Sequence, residues 1–391
     1  MNTLVQVHDA PHRSALHAVR ANLNACFLER TDIIDGVLTA LLSREHVLLL
    51  GVPGTAKSAL SRTLCESLAS SNFFRVLFSK FTVPEEILGP VSLAGLQRDE
   101  YRRNVTGYLP EAHVAFLDEI YKANSAILNA LLAALNEREF VQNGVPTPIP
   151  LQSVIGASNE FPEDSSLEAL HDRFLIRYWV PSLQSRDNRE KLLKGDFNAS
   201  SGASITFDEL KLCQSEVAQV IIPQSIYDTC LDIWDRIIDD GIVASDRRWR
   251  KAMGLMRARA YLEGCDEVDE DHLDILNACM WRTLAERDKL SAIIAAQANP
   301  LSAKVEKILL GAKDDAGDVG TVPADYDDEG RTAWMARAST AQQKLSRYLR
   351  EIEDLQSKHS NRKQSKAVLA ADNIRGMLNT IKVQVADLFN I

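Results

Sequence analysis

The sequence lacks long apolar runs and paired cysteines. The longest helix-like apolar stretch, residues 126–135, contains Asn129 and is far shorter than the roughly 20 residues that a membrane-spanning helix needs. The six cysteines form no CxxC pair, which favours free thiols in a reducing compartment. Residues 1–20 contain no apolar core of a signal peptide. We therefore expect a soluble, cytoplasmic protein with no membrane span.

An excess of basic residues and two common hydrolase motifs are also absent. The 391 residues include 54 acidic and 44 basic side chains, so the formal net charge of −10 argues against bulk binding to nucleic acid or anionic lipid. The sequence contains no HExxH zinc motif and no GxSxG nucleophile motif. These absences remove support for zinc peptidases, serine hydrolases and nucleic-acid-binding proteins.

Short apolar runs separated by helix-length stretches indicate an α/β fold. Such alternation predicts a mostly parallel sheet covered by helices on both faces, here within a first domain of residues 1–183. The runs are 47–50, 74–78, 114–117, 153–157 and 175–180.

The rest of the chain has helical periodicity. We expect an all-α second domain over residues 184–306, in which segment 226–239 places its apolar side chains on one helix face. A C-terminal helical domain is expected over residues 307–391. It contains the acidic segment 313–331, whose composition is typical of a linker, and ends in a helical hairpin. Residues 303–310 are a candidate third helix, which would make the hairpin a bundle.

Residues 51–58, GVPGTAKS, follow a predicted strand and open a predicted helix, as a Walker A phosphate loop requires. Backbone N–H groups of such a loop and of the helix N-terminus point at phosphate oxygens. Lys57 would reach the β- and γ-phosphates, and Ser58 would hold Mg²⁺. The last glycine of the motif is replaced by Ala56. The residues predicted to bind ATP or ADP are Gly51, Pro53, Gly54, Thr55, Ala56, Lys57, Ser58 and Ala59.

Two carboxylates, Asp118 and Glu119, follow the apolar run 114–117. A buried parallel strand delivers both to its carboxyl edge, beside the phosphate loop in this class of sheet. We expect Asp118, together with Ser58, to orient the Mg²⁺ shell, and Glu119 to polarise the attacking water. Alone, such a strand end is a weak signal. About sixty residues after a phosphate loop, it predicts an ATPase.

Six segments in order make the chain resemble the MoxR class of AAA+ ATPases, and most of all its RavA branch. The resemblance covers about residues 20–305 and weakens beyond them. It implies an AAA+ P-loop core with an all-α lid. The segments are GVPGTAKS (51–58), LFSKFTVPEEILGP (77–90), FLDEIYKANSAILNALLAALNERE (116–139), GASNE (156–160), LHDRF (170–174) and SDRRWRKA (245–252).

The resemblance also implies catalytic roles for three polar residues. Asn159 resembles sensor 1, which holds the water and the γ-phosphate. Arg173 resembles the arginine finger that reaches the nucleotide of a neighbouring subunit, although a plain ion pair with Asp172 is the alternative. Arg247 resembles sensor 2, which would enter the nucleotide site from the lid, with the adjacent Arg248 as the other candidate. A finger acting in trans requires an oligomer, and the family forms hexameric rings.

Family resemblance implies an insertion and a partner as well. Residues 91–113 are expected to carry a β-hairpin, formed by the alternation over residues 101–108, whose arginines would face the ring pore or solvent. RavA-type proteins usually carry a β-rich module that docks on a lysine decarboxylase. Segment 313–331 leaves no room for that module, so we expect no decarboxylase binding. The implied partner is a von Willebrand factor A (vWA) domain protein of the ViaA type.

The leading hypothesis is therefore an ATP-driven hexameric ring that remodels protein clients as a chaperone does. One alternative is a binding scaffold whose assembly is gated by nucleotide, against which the retention of Glu119, Asn159 and Arg173 counts. Another is a nucleic-acid-associated AAA+ motor. The net charge of −10 and the absence of an appended DNA-binding motif disfavour that reading.

Overall fold

The five predicted apolar runs form one parallel sheet. The structure, a computed structural model, describes residues 11–162, 165–195, 202–298, 300–320, 322, 328–358 and 365–388. Its strands are β1 (Val47–Leu50), β2 (Leu68–Ala69), β3 (Phe73–Leu77), β4 (Val114–Asp118), β5 (Glu139–Gln142), β6 (Val145–Pro148), β7 (Ser153–Ser158), β8 (Ile176–Trp179) and β9 (Ile205–Thr206). The sheet has the order β3-β4-β7-β1-β8, and the pairs β2–β9 and β5–β6 stand apart from it.

Helices flank the sheet and make up most of the remaining chain, which confirms the predicted α/β class with a helical lid and a helical C-terminal part. They are α1 (Pro11–Cys26), α2 (Thr31–Ser43), α3 (Lys57–Glu66), α4 (Glu85–Leu88), α5 (Leu93–Leu96), α6 (Ser125–Asn136), α7 (Ser165–Arg173), α8 (Arg186–Lys194), α9 (Phe207–Val217), α10 (Gln224–Asp239), α11 (Asp246–Leu262), α12 (Leu276–Cys279), α13 (Leu284–Ala298), α14 (Pro300–Gly317), α15 (Asp328–Lys358) and α16 (Ser365–Leu388).

The chain divides into two units, Met1–Leu290 and Ser291–Ile391, and the division falls inside α13. The α/β sheet and α8 to α12 belong to the first unit, and α14 to α16 belong to the second. The three domain ranges expected from the sequence, with limits at 183/184 and 306/307, stay predictions. Over the described residues, no helix is both long and apolar enough to span a lipid bilayer.

Parallel pairing in register brings the carboxyl ends of three strands to one edge of the sheet. Leu50 of β1 lies opposite Ser158 of β7, and Leu117 of β4 lies opposite Gly156 of β7. All of β1 and β7 is buried, so these strands are held firmly on both faces. The phosphate loop after β1, the two carboxylates after β4 and Asn159 after β7 are thereby brought together.

A buried histidine helps to hold this arrangement. His46, just before β1, accepts a hydrogen bond at Nδ1 from the backbone N–H of Val154 at 3.0 Å. Its Nε2 donates to the carbonyl oxygen of Leu135 in α6 at 2.9 Å. Burial lowers the pKa of His46 to about 3, so the neutral ring that both hydrogen bonds require is present at neutral pH.

The β-hairpin predicted within residues 91–113 is wrong. Val91 and Arg103 form a single antiparallel bridge, and α5 lies between them. The hairpin of this region is β5–β6, whose turn is Asn143-Gly144 with φ of 52° and 75°. Asn-Gly with positive φ at both positions is the preferred two-residue hairpin turn. The segment FVQNGVPT therefore contained the signal, and the alternation over 101–108 was the weaker one.

Three helices form the second unit, which confirms the predicted C-terminal helical bundle. Helix α14 packs on α15 and α16, and α15 packs along α16. The shared core consists of small and large apolar side chains at helical spacing. Its fully buried members include Trp334, Ala338, Leu345, Ile352 and Ile374. Since the core draws on all three helices, α14 is part of the bundle and not a separate connection.

The acidic segment 313–331 is only partly a linker. Helix α14 runs through its first residues, where the Asp315 carboxylate accepts a hydrogen bond from Lys344 Nζ of α15 at 2.6 Å. Helix α15 begins at Asp328, and residues 321 and 323–327 lie outside the described residues. The prediction was wrong in its first part because composition does not reveal that an acidic helix end has a basic partner.

Candidate functional site

The phosphate loop has left-handed or otherwise unusual backbone angles at Gly51, Gly54 and Ala56, with φ of 147°, 78° and 66°. A Cβ atom at Gly51 would lie 2.4 Å from the carbonyl oxygen of Val180, so glycine is required both by φ and by the close approach of the chain after β8. Ala56 adopts the left-handed conformation at a cost of about 1–2 kcal/mol. The loop thus keeps its shape without the motif's last glycine.

Helix α3 begins at Lys57, directly after the loop, and within the described residues no side chain caps its first N–H groups. Free N–H groups at a helix N-terminus attract anions, so this end of α3 fits a phosphate. Lys57 Nζ donates to the carbonyl oxygens of Gly51 at 2.7 Å and Val52 at 2.9 Å, and to Asn159 Oδ1 at 2.9 Å. Burial lowers the pKa of Lys57, while two nearby carboxylates favour its charged form.

Ser58 and Asp118 meet across the loop. Ser58 Oγ donates to Asp118 Oδ2 at 2.8 Å, and the other carboxylate oxygen, Oδ1, accepts from the backbone N–H of Glu119 at 3.1 Å. Mg²⁺ prefers oxygen ligands and is usually bound through one or two protein groups together with substrate phosphates. A hydroxyl and a carboxylate within hydrogen-bond distance of each other, beside a phosphate loop, therefore fit the predicted Mg²⁺ site.

Glu119 and Asn159 are joined to this group by a short chain of hydrogen bonds. Glu119 has φ of 52°, which turns the backbone sharply after β4. Its Oε1 accepts from Asn159 Nδ2 at 2.5 Å, while Asn159 Oδ1 accepts from Lys57. Lys122 Nζ lies 3.4 Å from the second oxygen, Glu119 Oε2. The structure therefore brings Lys57, Glu119 and Asn159 together, as their predicted roles require.

The predicted arginines lie in a second cluster around Asp172 of α7. Although burial opposes ionisation of Asp172, the surrounding guanidinium groups hold the pKa of its carboxyl below its usual range. The nitrogen-to-oxygen distances to this carboxylate are 3.0 Å for Arg248, 3.3 Å for Arg247, 3.8 Å for Arg177 and 3.9 Å for Arg173. Four cations are thus organised by one anion.

Arg247 and Arg248, the two candidates for sensor 2, differ in their burial. The side chain of Arg248 is 4% exposed, whereas that of Arg247 is 41% exposed. Beyond Asp172, the one side-chain hydrogen bond of Arg247 among the described residues is a 3.5 Å contact from Nη1 to Asn136 Oδ1. The guanidinium of Arg248 is instead occupied by the carbonyl oxygens of Leu175, Cys279 and Phe174, at 3.0, 2.6 and 3.1 Å. Arg248 is therefore built into the fold, and Arg247 is the more exposed of the two. The role of Arg247 as sensor 2 stays a prediction.

This contrast predicts opposite outcomes for two adjacent substitutions. Arg248→Ala should lower the free energy of unfolding by about 3 kcal/mol, because it leaves three buried carbonyl oxygens without their donor and removes the nearest cation from Asp172. Arg247→Ala should change stability by less than about 1 kcal/mol, since its pairing is solvent-exposed. It should nevertheless lower hydrolysis by about 10²-fold if it binds the transferring phosphate.

Denaturant unfolding followed by tryptophan fluorescence, together with steady-state phosphate release, measures both quantities. An Arg248→Ala protein of wild-type stability that has lost hydrolysis would reverse the assignment of Arg247 and Arg248.

The cluster around Lys57 and Glu119 and the cluster around Asp172 do not share hydrogen bonds or ion pairs in the described part of a single chain. Within the described residues, neither Arg173 nor Arg247 forms a hydrogen bond or ion pair with Lys57 or Glu119. Sequence reasoning found every member of the first cluster except Lys122, three residues after Glu119 on the following 3₁₀ turn. It treated Asp172 only as a possible partner of Arg173. A possible signal was the number of arginines near Asp172 in the sequence, Arg173 and Arg177, and in the segment SDRRWRKA, Arg247 and Arg248. These four cations need a shared anion.

Comparison with known protein families agrees with this geometry. Residues 14–220, more than half of the chain, match the family described as the MoxR domain in the MoxR-vWA-beta-propeller ternary systems. The chain belongs to the MoxR family. Residues 223–294 of this MoxR protein match the AAA lid domain family, so the helices after the sheet are an AAA+ lid. The protein is therefore a MoxR-class AAA+ ATPase.

Individual relatives extend this result. Two uncharacterized proteins of Methanocaldococcus jannaschii are each 40% identical to this MoxR protein, over 71% and 68% of its chain and 74% and 70% of theirs. Chaperone MoxR1 of Mycobacterium tuberculosis is 30% identical over 41% of this chain and 42% of its own. The crystal structure of a Cytophaga hutchinsonii protein described as an ATPase has a TM-score of 0.58 at 18% identity, covering 72% of this chain and 94% of that one. That likeness shows the shared fold.

Proposed function

We propose that this MoxR protein hydrolyses ATP, with Mg²⁺, at sites shared between neighbouring subunits of a hexameric ring. The observation that carries the proposal is the hydrogen-bonded chain Lys57–Asn159–Glu119 beside the Ser58–Asp118 pair. This chain brings an ammonium group, an amide and a carboxylate together beside the carboxyl ends of parallel strands. Phosphoryl transfer to water needs these groups, because it depends on positioning and on neutralised charge.

Each residue of the first cluster has a role that follows from its contacts. Lys57 would exchange its loop carbonyls for phosphate oxygens, and Ser58 and Asp118 would hold the metal. Mg²⁺, when bound, neutralises charge on the phosphates. Glu119 would accept the hydrogen bond of the attacking water and polarise it. Asn159 donates a hydrogen bond to the Glu119 carboxylate. As sensor 1, it would also hold the attacking water and the γ-phosphate.

The second cluster supports a contribution from the neighbouring subunit. Arg173 and Arg247 share Asp172 and are both partly exposed. The sequence led us to expect that Arg247 enters the site of its own chain, but its neighbours in the structure are those of Arg173. We therefore propose that both arginines act on the nucleotide of the adjacent subunit, with Asp172 as the positioning residue that holds them. Guanidinium groups bind phosphate oxygens in a planar fork and stay charged.

The output of the cycle is proposed to be chaperone-like remodelling of a protein client, with a vWA domain partner, in the cytoplasm. Two comparisons support this proposal: the similarity to Chaperone MoxR1, and a family description that joins MoxR to vWA and β-propeller proteins. By the same description, a β-propeller protein is a reasonable third component. The RavA-like assignment and the ViaA type of partner belong to this proposal as well.

Steady-state hydrolysis measured against protein concentration tests the shared site. If the site needs two subunits, specific activity should rise with concentration and reach a plateau as the protein assembles, in parallel with the mass measured by light scattering. Specific activity that stays constant from the monomeric to the assembled range would contradict a shared site. Assembly with ATP but without turnover would instead support the nucleotide-gated scaffold.

A further inference from the structure

Helix α10 has a second apolar stripe that faces solvent. Its buried residues, Ile226, Cys230, Ile233 and Ile237, pack in the core. One position further along, Tyr227, Leu231 and Ile238 are 37%, 56% and 60% exposed. Spacings of four and seven place these three on one face of the helix. Tyr227 and Leu231 are one turn apart, and Ile238 lies two turns beyond Leu231. Exposed apolar side chains grouped on one helix face are a feature of interaction sites.

Acidic side chains border this stripe. They are Asp228, Asp232, Asp235 and Asp239, all exposed, and one basic residue, Arg236, lies on the same helix. Helical spacing places the four acids side by side, next to the apolar residues. We call Tyr227, Leu231 and Ile238 with these four aspartates the α10 stripe.

Helix α8 has the opposite charge and is exposed on all sides. None of its residues is buried, and it contains four basic and two acidic side chains. Leu192 and Leu193 are 52% and 87% exposed, which is unusual for adjacent leucines on a short helix. Helical spacing groups these leucines with Arg186 and Arg189 on one side of the helix. We call these four residues the α8 face.

We propose that the α8 face of one subunit binds the α10 stripe of the next subunit in the assembly. Both surfaces combine apolar side chains with a row of charges, and their charges are opposite. Pairing would remove the leucines and Ile238 from water while placing Arg186 and Arg189 against the aspartates. Opposite charges at an interface steer association and set its register.

The pairing joins two chains and is not made within one. Leu193, Leu231 and Ile238 remain exposed in the single chain, so its own α8 does not cover its own α10 stripe. Since the two surfaces are different parts of the same protein, each subunit offers one to each neighbour. Such a heterologous contact repeats from subunit to subunit and closes into a ring when the rotation permits. This inference rests on the proposed function, because a shared ATP site requires neighbouring copies.

Charge reversal tests the pairing in the full chain. The assay uses the Glu119→Gln background with ATP, so that hydrolysis does not change the nucleotide state, and measures mass by sedimentation velocity. Arg186→Glu/Arg189→Glu on α8 and Asp228→Lys/Asp235→Lys on α10 should each weaken self-association at least about tenfold, because each places like charges together. Circular dichroism checks that both variants remain folded, as expected for exposed substitutions.

Two restorations make the test specific. An equimolar mixture of the α8 variant and the α10 variant should assemble, because every contact in an alternating ring again joins opposite charges. One chain carrying all four substitutions should also assemble alone. The matched control is Arg337→Glu/Arg350→Glu on the exposed side of α15, which should leave assembly unchanged.

Each failure has a distinct meaning. If the α8 and α10 variants assemble as the parent does, or if neither restoration works, the pairing is wrong. Loss of assembly in the α15 control would also overturn it, because the effect would then be one of general charge. If the pairing fails in this way while hydrolysis still rises with concentration, the shared ATP site stands. A parent protein that stays monomeric with ATP would contradict both.

Discussion

Replacing Glu119 by glutamine is expected to lower ATP hydrolysis by about 10³-fold while leaving ATP binding near the wild-type level. Glutamine keeps the size of the side chain and can still accept a hydrogen bond from Asn159 Nδ2, so the local geometry should persist. It lacks the negative charge that polarises water. Hydrolysis is measured by phosphate release, and binding by titration with a fluorescent ATP analogue.

The control is Glu66→Gln, which removes an exposed carboxylate at the other end of α3 and should change neither quantity. The Glu119→Gln protein should also hold ATP long enough to accumulate in its assembled form. Residual hydrolysis within threefold of wild type would exclude Glu119 as the group that activates water, and Asp118 would be the next candidate.

Loss of Arg173 should have an effect of similar size for a different reason. Arg173→Ala is expected to lower hydrolysis by about 10³-fold or more, since an arginine finger supplied in trans typically contributes 10³–10⁵ in rate. Assembly and ATP binding should be retained, because the side chain is partly exposed and its ion pair with Asp172 is long, at 3.9 Å. Arg62→Ala, at an exposed position of α3, serves as the matched control.

Mixing experiments separate action in trans from action in cis. Arg173→Ala subunits keep Lys57, and Lys57→Ala subunits keep Arg173, so a site that joins one of each is complete. In a random equimolar mixture about a quarter of the contacts would be of this kind, and activity should recover accordingly. If the mixture hydrolyses no more ATP than the two inactive proteins measured separately, Arg173 acts within its own chain.

The fold and the places of the phosphate loop and the Asp118–Glu119 pair were predictable because their signals are local. The strand before Gly51, the helix beginning at Lys57 and the pair Asp118–Glu119 each occupy a few consecutive residues with characteristic chemistry. Parallel pairing then brings their ends together without further information. The β5–β6 hairpin shows that a local signal does not always lead to the correct prediction. The Asn143-Gly144 turn is a local signal for a hairpin, but the prediction placed the hairpin at segment 101–108.

The difference in burial between Arg247 and Arg248 could not be predicted in the same way. Adjacent residues on a helix point about 100° apart, so one faces the protein and the other faces solvent, and the sequence does not say which. The choice depends on carbonyl oxygens of Phe174 and Leu175, more than seventy positions away along the chain. The same is true of Asp315, whose basic partner lies on another helix.

By itself the sequence determined the α/β class and the places of the phosphate loop and of the Asp118–Glu119 pair in that fold. The roles of Lys57, Ser58, Asp118 and Glu119 stay predictions. Only the tertiary structure decided that Asn159 joins Lys57 to Glu119, that Asp172 gathers four arginines and that Arg248 is buried among carbonyl oxygens. The physical reason is the range of the interactions. Backbone conformation and strand or helix periodicity follow from neighbouring residues, whereas hydrogen bonds and ion pairs between side chains depend on which distant segments the packed core brings into contact.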